Sequence, residues 1–326
     1  MSGDFLAKLP TTPTLTASTV PANGDLNPYG VAVVPRGVLV SNFNNSQNLQ
    51  GTGTTLVKVL RNGSTSTFFQ AGSGVGLTTA LGVMRKGFAF VGSVPTIDGT
   101  SATVGQGEIL IVNRFGQLVG TMKNSKLLDG PWDLTVNDQG NTAQIFVSNV
   151  LSGTITRIDV KIAEGHVSPT SAVQIASGYT ATTDPAALVI GPTGLAYDAR
   201  TGVLYVASTG DNAIYAIADA GNRRTDAGTG TLVTSDSTYL HGPLGLAFAP
   251  NGDLLVSNGD AVNFDANNPS TIVEFTRKGQ FVDQISLSSS PGAAFGIAVG
   301  GYSGTVVLLA VNDADNTVEA FRVPKK

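Results

Sequence analysis

Asp133 is the residue whose place in the sequence points most directly to chemistry. It follows Trp132, the single tryptophan of the chain, in a short apolar segment, and five equivalent segments carry glycine at that place. A carboxylate among converging strands must be solvated or paired, because burying an unpartnered charge is costly. Asp133 is therefore a candidate acid/base group or cation ligand. The alternative is a carboxylate that accepts hydrogen bonds from adjacent backbone N–H groups.

Histidine and cysteine limit the remaining chemistry. The chain has no cysteine and only two histidines, His166 and His241. Thiol nucleophiles, disulfides and cysteine-based zinc sites are therefore excluded, and so is a three-histidine zinc centre. His241 precedes the fifth apolar segment and is the second candidate catalytic residue, as a proton carrier. A merely exposed loop histidine is the alternative interpretation.

A polar residue follows the second strand of each of six repeated units. These residues are Asn42, Ser93, Asn149, Ser208, Asn258 and Asn312. Radial repetition would place them around the mouth of a channel, where amides and hydroxyls can bind a ligand or a hard cation. Capping of their own strand ends is the alternative. Tyr29, Asn44 and Trp132 are further candidate ligand-binding residues. Asp133, Asn149 and Asn258 are the candidate metal ligands, with a divalent cation such as calcium as the expected cofactor.

Two acidic groups could add oxygen ligands. One is the run Asp313-Ala314-Asp315-Asn316, and the other pairs Asp260 with Asp265. Neither has the twelve-residue spacing of an EF-hand loop. We interpret both as turn chemistry, with a contribution to a calcium site as the alternative.

Six copies of a short strand pattern with a small residue near its start indicate the fold. They begin at Tyr29, Leu81, Trp132, Thr193, Leu244 and Phe295. Their second positions are separated by 52, 51, 61, 51 and 51 residues. Periods of about fifty residues are typical of propeller blades with four strands each. The sequence therefore predicts an all-β fold, a six-bladed β-propeller of four antiparallel strands per blade, in one domain over residues 1–326.

The last repeat is incomplete. The predicted blades cover residues 28–71, 78–124, 130–179, 191–236, 242–290 and 293–324. The sixth ends after its third strand, whereas residues 15–20 have strand character and precede the first blade. We expect this segment to supply the missing fourth strand, because closing the ring hides an otherwise open sheet edge.

Three connections between second and third strands are long, at about residues 43–53, 94–107 and 259–270. In a propeller they share a face with the connections that enter the innermost strands, around the channel mouth. Long loops grouped on one face can form the walls of a pocket. Tolerated surface insertion is the alternative.

The fourth repeat carries a resemblance to a known family. Residues 191–198 read GPTGLAYD and residues 202–214 read GVLYVASTGDNAI, and the fifth repeat has GPLGLA at 242–247. These segments resemble the NHL repeat, and at the level of fold the chain is similar to lactonase-like propellers. Ser208 departs from the pattern, which usually has aspartate there. Such propellers include lyases, lactonases, synthases and binding domains, so the resemblance implies a fold and not a function.

Charge and composition disfavour some classes of binding partner. The net charge is −4 and no Lys/Arg cluster stands out in the sequence, which disfavours a nucleic-acid partner. No apolar run approaches the length of a membrane span. Charged residues make up only 13% of the chain, which favours an extracytoplasmic location, periplasmic or secreted, without a signal peptide in this sequence. We expect a monomer.

Two functions remain open. The first is an exported propeller that binds a small molecule, glycan or protein at its loop-rich channel mouth. The alternative is a metal-assisted hydrolase or lyase of the lactonase-like kind, in which a calcium-type cation polarises a carbonyl group. Lactonase-like propellers usually have a glutamate at the channel, whereas Glu108, Glu274 and Glu319 fall on third strands. Whether the chain is an enzyme is not determined by its sequence.

Overall fold

The computed structural model describes residues 4–259, 265–302 and 304–323. They form six four-stranded antiparallel sheets arranged as a six-bladed β-propeller, and the predicted fold is confirmed. No helical segment in these ranges has the length and apolar character needed to cross a bilayer.

The first half of the propeller follows one short strand, β1 (Leu15–Ser18). Its strands are β2 (Leu26–Val34), β3 (Gly37–Asn44), β4 (Thr55–Leu60) and β5 (Thr65–Gln70) in blade 1; β6 (Leu77–Val83), β7 (Ala89–Ser93), β8 (Glu108–Val112) and β9 (Leu118–Met122) in blade 2; and β10 (Pro131–Asp138), β11 (Thr142–Asn149), β12 (Thr154–Ala163) and β13 (His166–Ser177) in blade 3. In each blade the first strand is innermost and the fourth is outermost.

The second half begins with a two-stranded hairpin, β14 (Thr182–Asp184) and β15 (Leu188–Ile190), which lies outside the blades. The remaining strands are β16 (Pro192–Asp198), β17 (Val203–Ser208), β18 (Ala213–Ile217) and β19 (Thr231–Thr234) in blade 4; β20 (Pro243–Phe248), β21 (Leu254–Asn258), β22 (Ser270–Phe275) and β23 (Phe281–Ser288) in blade 5; and β24 (Ala294–Tyr302), β25 (Thr305–Asn312) and β26 (Thr317–Arg322) in blade 6.

Strand β1 completes blade 6, as the sequence predicts. It pairs with β26 in antiparallel register, from Leu15 opposite Ala320 to Ser18 opposite Thr317. The backbone N–H of Thr19 also donates to the carbonyl of Asn316, at 2.9 Å. The first and last strands of the chain therefore share one sheet, and that sheet closes the ring.

The segment before β1 forms a second attachment that the sequence analysis did not predict. Phe5 and Leu6 are buried against blades 5 and 6, at the start of a 3-10 turn, Leu6–Lys8. The buried carboxylate of Glu274 accepts the backbone N–H groups of both residues at 2.8 Å. A glutamate on a third strand thus satisfies the N–H groups that begin a helical turn, which explains its burial.

The innermost strands approach one another so closely that four blades require glycine. A Cβ atom on Gly296 would lie 2.2 Å from the carbonyl oxygen of Tyr29 in blade 1. The strand register corrects the prediction that Gly82 is the equivalent glycine in blade 2. Leu81 pairs with Val91 as Val31 pairs with Val40 in blade 1. The residue before Leu81, Ala80, therefore occupies this position. Four repeats therefore have glycine at this position, one has alanine, and the third has Asp133.

Short polar bridges connect the second strand of one blade, or the residue after it, to the innermost strand of the next blade. The hydroxyl of Ser41 donates to the carbonyl of Thr78, that of Ser257 donates to the carbonyl of Phe295, and that of Thr209 donates to the carbonyl of Pro243. Their lengths are 2.7, 2.5 and 2.7 Å. The apolar core lies between adjacent blades, where faces of neighbouring sheets pack together, so each bridge orders the inner rim of such an interface.

Candidate functional site

The candidate site is a cavity of about 430 Å³ at the mouth of the central channel. It lies above the beginnings of the innermost strands. Its floor comes from those strands, and one wall comes from the loops of blades 1 and 6. Of the long loops expected at this face, residues 43–53 contribute Asn44, Asn48 and Gln50 to the wall. The loop at 259–270 contributes Gly259, and its residues 260–264 lie outside the described ranges.

Aromatic side chains form the floor. The ring of Tyr29 stacks between Phe43 and Phe295, with centroid distances of 4.7 and 4.3 Å. Trp132 meets Tyr29 edge-on at 5.7 Å. These residues start the inner strands of different blades, or lie beside them, so the ring geometry brings them together. Tyr29, Trp132 and Phe295 line the cavity, which gives a bound molecule an apolar surface.

Asparagine side chains form the wall on the side of blades 1 and 6. The Nδ2 group of Asn44 donates to Oδ1 of Asn48 at 2.8 Å, and the backbone N–H of Asn27 donates to Oδ1 of Asn316 at 2.8 Å. The Oδ1 atoms of Asn27 and Asn44 have no hydrogen-bond partner among the described residues. These residues are only 8% and 2% exposed. Buried amide oxygens are normally satisfied, so both residues are candidate contacts for a ligand or a water molecule in the cavity that they line.

One carboxyl group faces the same cavity. Asp313 lies half-buried in the turn after β25, and no Lys, Arg or His is among the described lining residues. Burial raises the pKa of Asp313 to about 7. Burial also raises the pKa of the Tyr29 phenol, the charge of Asp313 raises it further, and the amide of Asn27 opposes the shift. Asp313, which the sequence suggested as turn chemistry, is therefore also part of the cavity wall.

The hairpin β14–β15 reaches the mouth from between blades 3 and 4. Ala186, Ala187 and Val189 line the cavity, and β14 lies against the 3-10 turn Ser101–Thr103 in the long loop of blade 2. The carboxylate of Asp184 accepts the backbone N–H groups of Ala186 and Ala187, each at 2.8 Å. We call residues 182–190 the cap hairpin. It closes part of the mouth.

Leu188 anchors the cap hairpin at a cost in backbone strain. Its φ of 63° is uncommon for a residue with a branched apolar side chain. That side chain is buried in a cluster with Tyr29, Phe43 and Trp132. The packing of Leu188 therefore couples the cap hairpin to the aromatic floor.

The predicted ring of polar residues lies inside the blades and not on the cavity surface. Asn149 receives the N–H of Asp129 at 3.1 Å and donates to the carbonyl of Leu127 at 3.2 Å. Asn258 repeats this arrangement with the N–H of His241 at 3.0 Å and the carbonyl of Tyr239 at 2.8 Å. Each amide thus attaches the loop entering its blade to the sheet, which is the strand-end interpretation.

The other four ring residues also bond within the protein. Asn42 donates to the carbonyl of Thr19, and Ser93 donates to that of Val75. Ser208 donates to Asp211, and Asn312 donates to Glu319. The Oδ1 atoms of Asn42 and Asn312 lack a described partner, but neither residue lines the channel-mouth cavity. Of the predicted ligand-binding residues, the structure brings Tyr29, Asn44 and Trp132 to this cavity.

The two candidate catalytic residues are not brought together. Asp133 lines a separate cavity of about 320 Å³ lower in the channel, and none of the described residues lines both cavities. The Nε2 atom of His241 lies 3.6 Å from Oδ2 of Asp265, in the loops around blade 5, and His241 lines neither cavity. Asp133 and His241 therefore do not form an acid/base pair.

Asp133 has a structural partner on each oxygen. Its Oδ1 accepts the N–H of Leu134 at 2.8 Å, and its Oδ2 accepts the N–H of Leu195 in blade 4 at 3.0 Å. Burial raises the pKa of Asp133 well above its usual range, and the two backbone donors oppose that shift. The carboxyl group thus bridges blades 3 and 4, as hydroxyl groups bridge other neighbouring blades.

The predicted metal ligands accept backbone N–H groups within the protein. Calcium takes six to eight oxygen ligands. Both oxygens of Asp133 and the Oδ1 atoms of Asn149 and Asn258 already accept backbone N–H groups. Among the described residues, no group of three or more His, Asp or Glu side chains could hold a metal ion. Asp260 of the second acidic group lies outside the described residues.

Sequence reasoning missed Asn27, Phe295 and the cap hairpin as parts of the site. The interval of 61 residues between the third and fourth repeats was the available signal for the hairpin, because the other intervals are 51 or 52 residues. Phe295 occupies the repeat position of Tyr29 and Trp132, which was a signal for a shared floor. Nothing in the sequence marked Asn27 as a wall residue.

Comparison with solved structures supports the fold. One described as a gluconolactonase has a TM-score of 0.61 at 15% identity, covering 100% of this chain and 99% of its own. A glucose dehydrogenase has a TM-score of 0.58 at 14% identity, covering 96% and 100%. Virginiamycin B lyase from Staphylococcus aureus has a TM-score of 0.52 at 15% identity, covering 96% and 89%. Neither a family model nor a curated protein matches this chain. At these identities the likeness shows a propeller fold alone.

Proposed function

We propose that this protein binds a small organic molecule in the channel-mouth cavity, between the aromatic floor and the cap hairpin. The observation that carries the proposal is the pair of buried amide oxygens, on the cavity-lining residues Asn27 and Asn44, that have no hydrogen-bond partner among the described residues. Leaving a buried acceptor unsatisfied costs about 1–3 kcal/mol, so a ligand that satisfies both gains that free energy on binding.

The shape of the site favours a small molecule over a glycan chain or a protein. Ligand sites are typically concave and combine apolar side chains with a few placed polar groups. Here Trp132 and Phe295 supply apolar surface, whereas Asn27 and Asn44 supply hydrogen-bonding groups that would orient the ligand. The cap hairpin narrows the mouth, which disfavours a flat protein surface. The proposal retains the expectations of a monomer and of an extracytoplasmic location, which light scattering and cell fractionation would test.

The single tryptophan provides the experiment, because Trp132 lies in the floor. Benzyl alcohol is a suitable neutral probe, with a ring for the floor and a hydroxyl for the wall. We expect a saturable change in Trp132 fluorescence on titration. Ala187→Phe should abolish it by filling the mouth, whereas Thr183→Phe, on the exposed face of the same hairpin, should not. An absent signal, or one that persists in Ala187→Phe, would overturn the proposal.

The alternative function, a metal-assisted hydrolase or lyase, has weaker support from the geometry. It requires free oxygens, and those of Asp133, Asn149 and Asn258 are engaged by the backbone. Its test is elemental analysis of the purified protein, with the melting temperature measured with and without EDTA. We expect no stoichiometric calcium and an unchanged melting temperature. Bound calcium whose removal lowers the melting temperature would instead favour the enzyme.

A further inference from the structure

Asp313 is an ionisable group in the candidate cavity with no counter-ion among the described lining residues. Its carboxylate lies on the wall, and burial is the one influence that shifts its pKa, with no described cation or hydrogen-bond donor opposing it. Most buried charges are paired. Within the described lining, Tyr29 is the one other ionisable residue, and a phenol supplies no positive charge. A positive charge must therefore come from outside the described wall if Asp313 is ionised.

The neighbouring wall residues add acceptors. Oδ1 of Asn27 and Oδ1 of Asn44 are both unpartnered. Asn316 ties this wall to the Asp313 turn, since its Oδ1 accepts the N–H of Asn27 and its own N–H donates to the carbonyl of Asp313 at 3.1 Å. Two neutral acceptors and one carboxyl group thus belong to the same wall of the cavity, and none of the three has a donor among the described residues.

We propose that the ligand carries a protonated amine, with Asp313 as its counter-ion and the amide oxygens of Asn27 and Asn44 as further acceptors. An ammonium group has three donors and no acceptor, which matches this wall. The apolar part of the ligand then lies on Trp132 and Phe295. This inference rests on the function proposed above and adds the class of ligand to it.

Three probes with the same ring separate charge from shape: benzylamine, benzyl alcohol and benzoate. Titrations monitored by Trp132 fluorescence at pH 8 keep the amine protonated and Asp313 ionised. Hydrogen bonds to charged groups are stronger than neutral ones, so benzylamine should bind about tenfold to hundredfold more tightly than benzyl alcohol. Benzoate should bind most weakly, because its charge faces that of Asp313.

Asp313→Asn keeps the size of the side chain and removes its charge. It should reduce the ratio of the two dissociation constants, benzyl alcohol over benzylamine, to about one. Asp315→Asn is the matched control, because Asp315 lies in the same turn, is exposed and bonds to Asn312 instead. In that variant the wild-type ratio should persist.

Each other outcome has a defined meaning. Equal binding of amine and alcohol by the wild type would overturn the amine inference and leave the small-molecule function standing. An amine preference that survives in Asp313→Asn would overturn the role of Asp313. Displacement of benzylamine by calcium chloride, but not by sodium chloride at matched ionic strength, would assign the acceptors to an inorganic cation. Failure of all three probes to bind would overturn the proposed function itself.

Discussion

The upper and lower parts of the central channel each contain a partly or fully buried carboxyl group. The two groups differ in their hydrogen-bond partners. Asp133, in the lower channel, accepts one backbone N–H on each oxygen and bridges two blades. Asp313, at the mouth, lines a cavity together with Asn27 and Asn44, whose Oδ1 atoms have no described partner. The carboxyl group of Asp133 is thus engaged by two backbone donors within the ring. The carboxyl group of Asp313, in a loop, has no hydrogen-bond donor among the described residues. A polar group that can still accept a bond from a ligand is expected in a binding site.

Deletion of residues 1–22 should disrupt both parts of the channel and has the largest expected effect. It removes β1 and the buried side chains of Phe5 and Leu6. Burial of two such side chains contributes about 3–6 kcal/mol, a large part of the stability of a typical domain. We expect loss of cooperative thermal unfolding, measured by circular dichroism. A variant that keeps the wild-type melting temperature would show that the ring does not depend on this closure.

Asp133→Ala tests the structural half of the comparison directly. It leaves the N–H groups of Leu134 and Leu195 without their acceptor, and we expect a loss of about 2 kcal/mol in the free energy of unfolding. Asp313→Ala should not lower that free energy at neutral pH, because its carboxylate has no described donor and its burial disfavours the ionised form. Urea unfolding of both variants measures the difference. Equal losses would contradict the distinction between a bridging and an available carboxyl group.

Asn149 and Asn44 allow the same comparison between a side chain bonded within a blade and one that lines the cavity, with a smaller expected effect on stability. Asn149→Ala removes an amide bonded to Asp129 and Leu127, and we expect a loss of about 2 kcal/mol. Asn44→Ala removes an oxygen that has no described partner and the amide N–H donations to Asn48, one short at 2.8 Å and one long at 3.5 Å, so a loss below about 1 kcal/mol is expected. The comparison fails if Asn44→Ala is the more destabilising change.

The pH dependence of stability should show the smallest effect. The pKa of Asp313 is about 7 in the folded protein, above its value in the unfolded chain, so the folded state binds more protons between pH 4 and 7. Stability therefore falls as pH rises through this window. Asp313→Asn should flatten the fall by a few degrees, about 2–4 °C in melting temperature between pH 4 and 7. The same slope in both proteins would mean that Asp313 is solvated and titrates normally.

The fold could be predicted from the sequence because each blade repeats the same local sequence pattern. Every inner strand needs a small residue, a turn and a second apolar strand, so the pattern recurs about every fifty residues. The incomplete sixth repeat and the strand-like residues 15–20 also indicated the closure. The one misplaced element, Gly82 for Ala80, reflects an irregularity between Leu77 and Leu81, which shifts register without changing the apolar pattern.

The candidate site could be predicted from the sequence only in part. Tyr29, Asn44 and Trp132 were predicted and line the cavity, but Asn149 and Asn258 have the same residue type as Asn44 and serve inside the blades. Residue type alone does not separate an amide that is hydrogen-bonded within a blade from one that faces a cavity. That distinction depends on which side of the strand end each amide occupies.

By itself the sequence determined the six blades, the closure by the N-terminal strand and the lack of cysteine chemistry, because these depend on periodicity and composition along the chain. Only the tertiary structure showed that Asp133 bridges blades whereas Asp313 faces a cavity. It also brought Asn27, Asn44 and the cap hairpin to one mouth. Those relations join residues far apart in the chain, and ring closure brings them within hydrogen-bond distance of one another or of a common ligand.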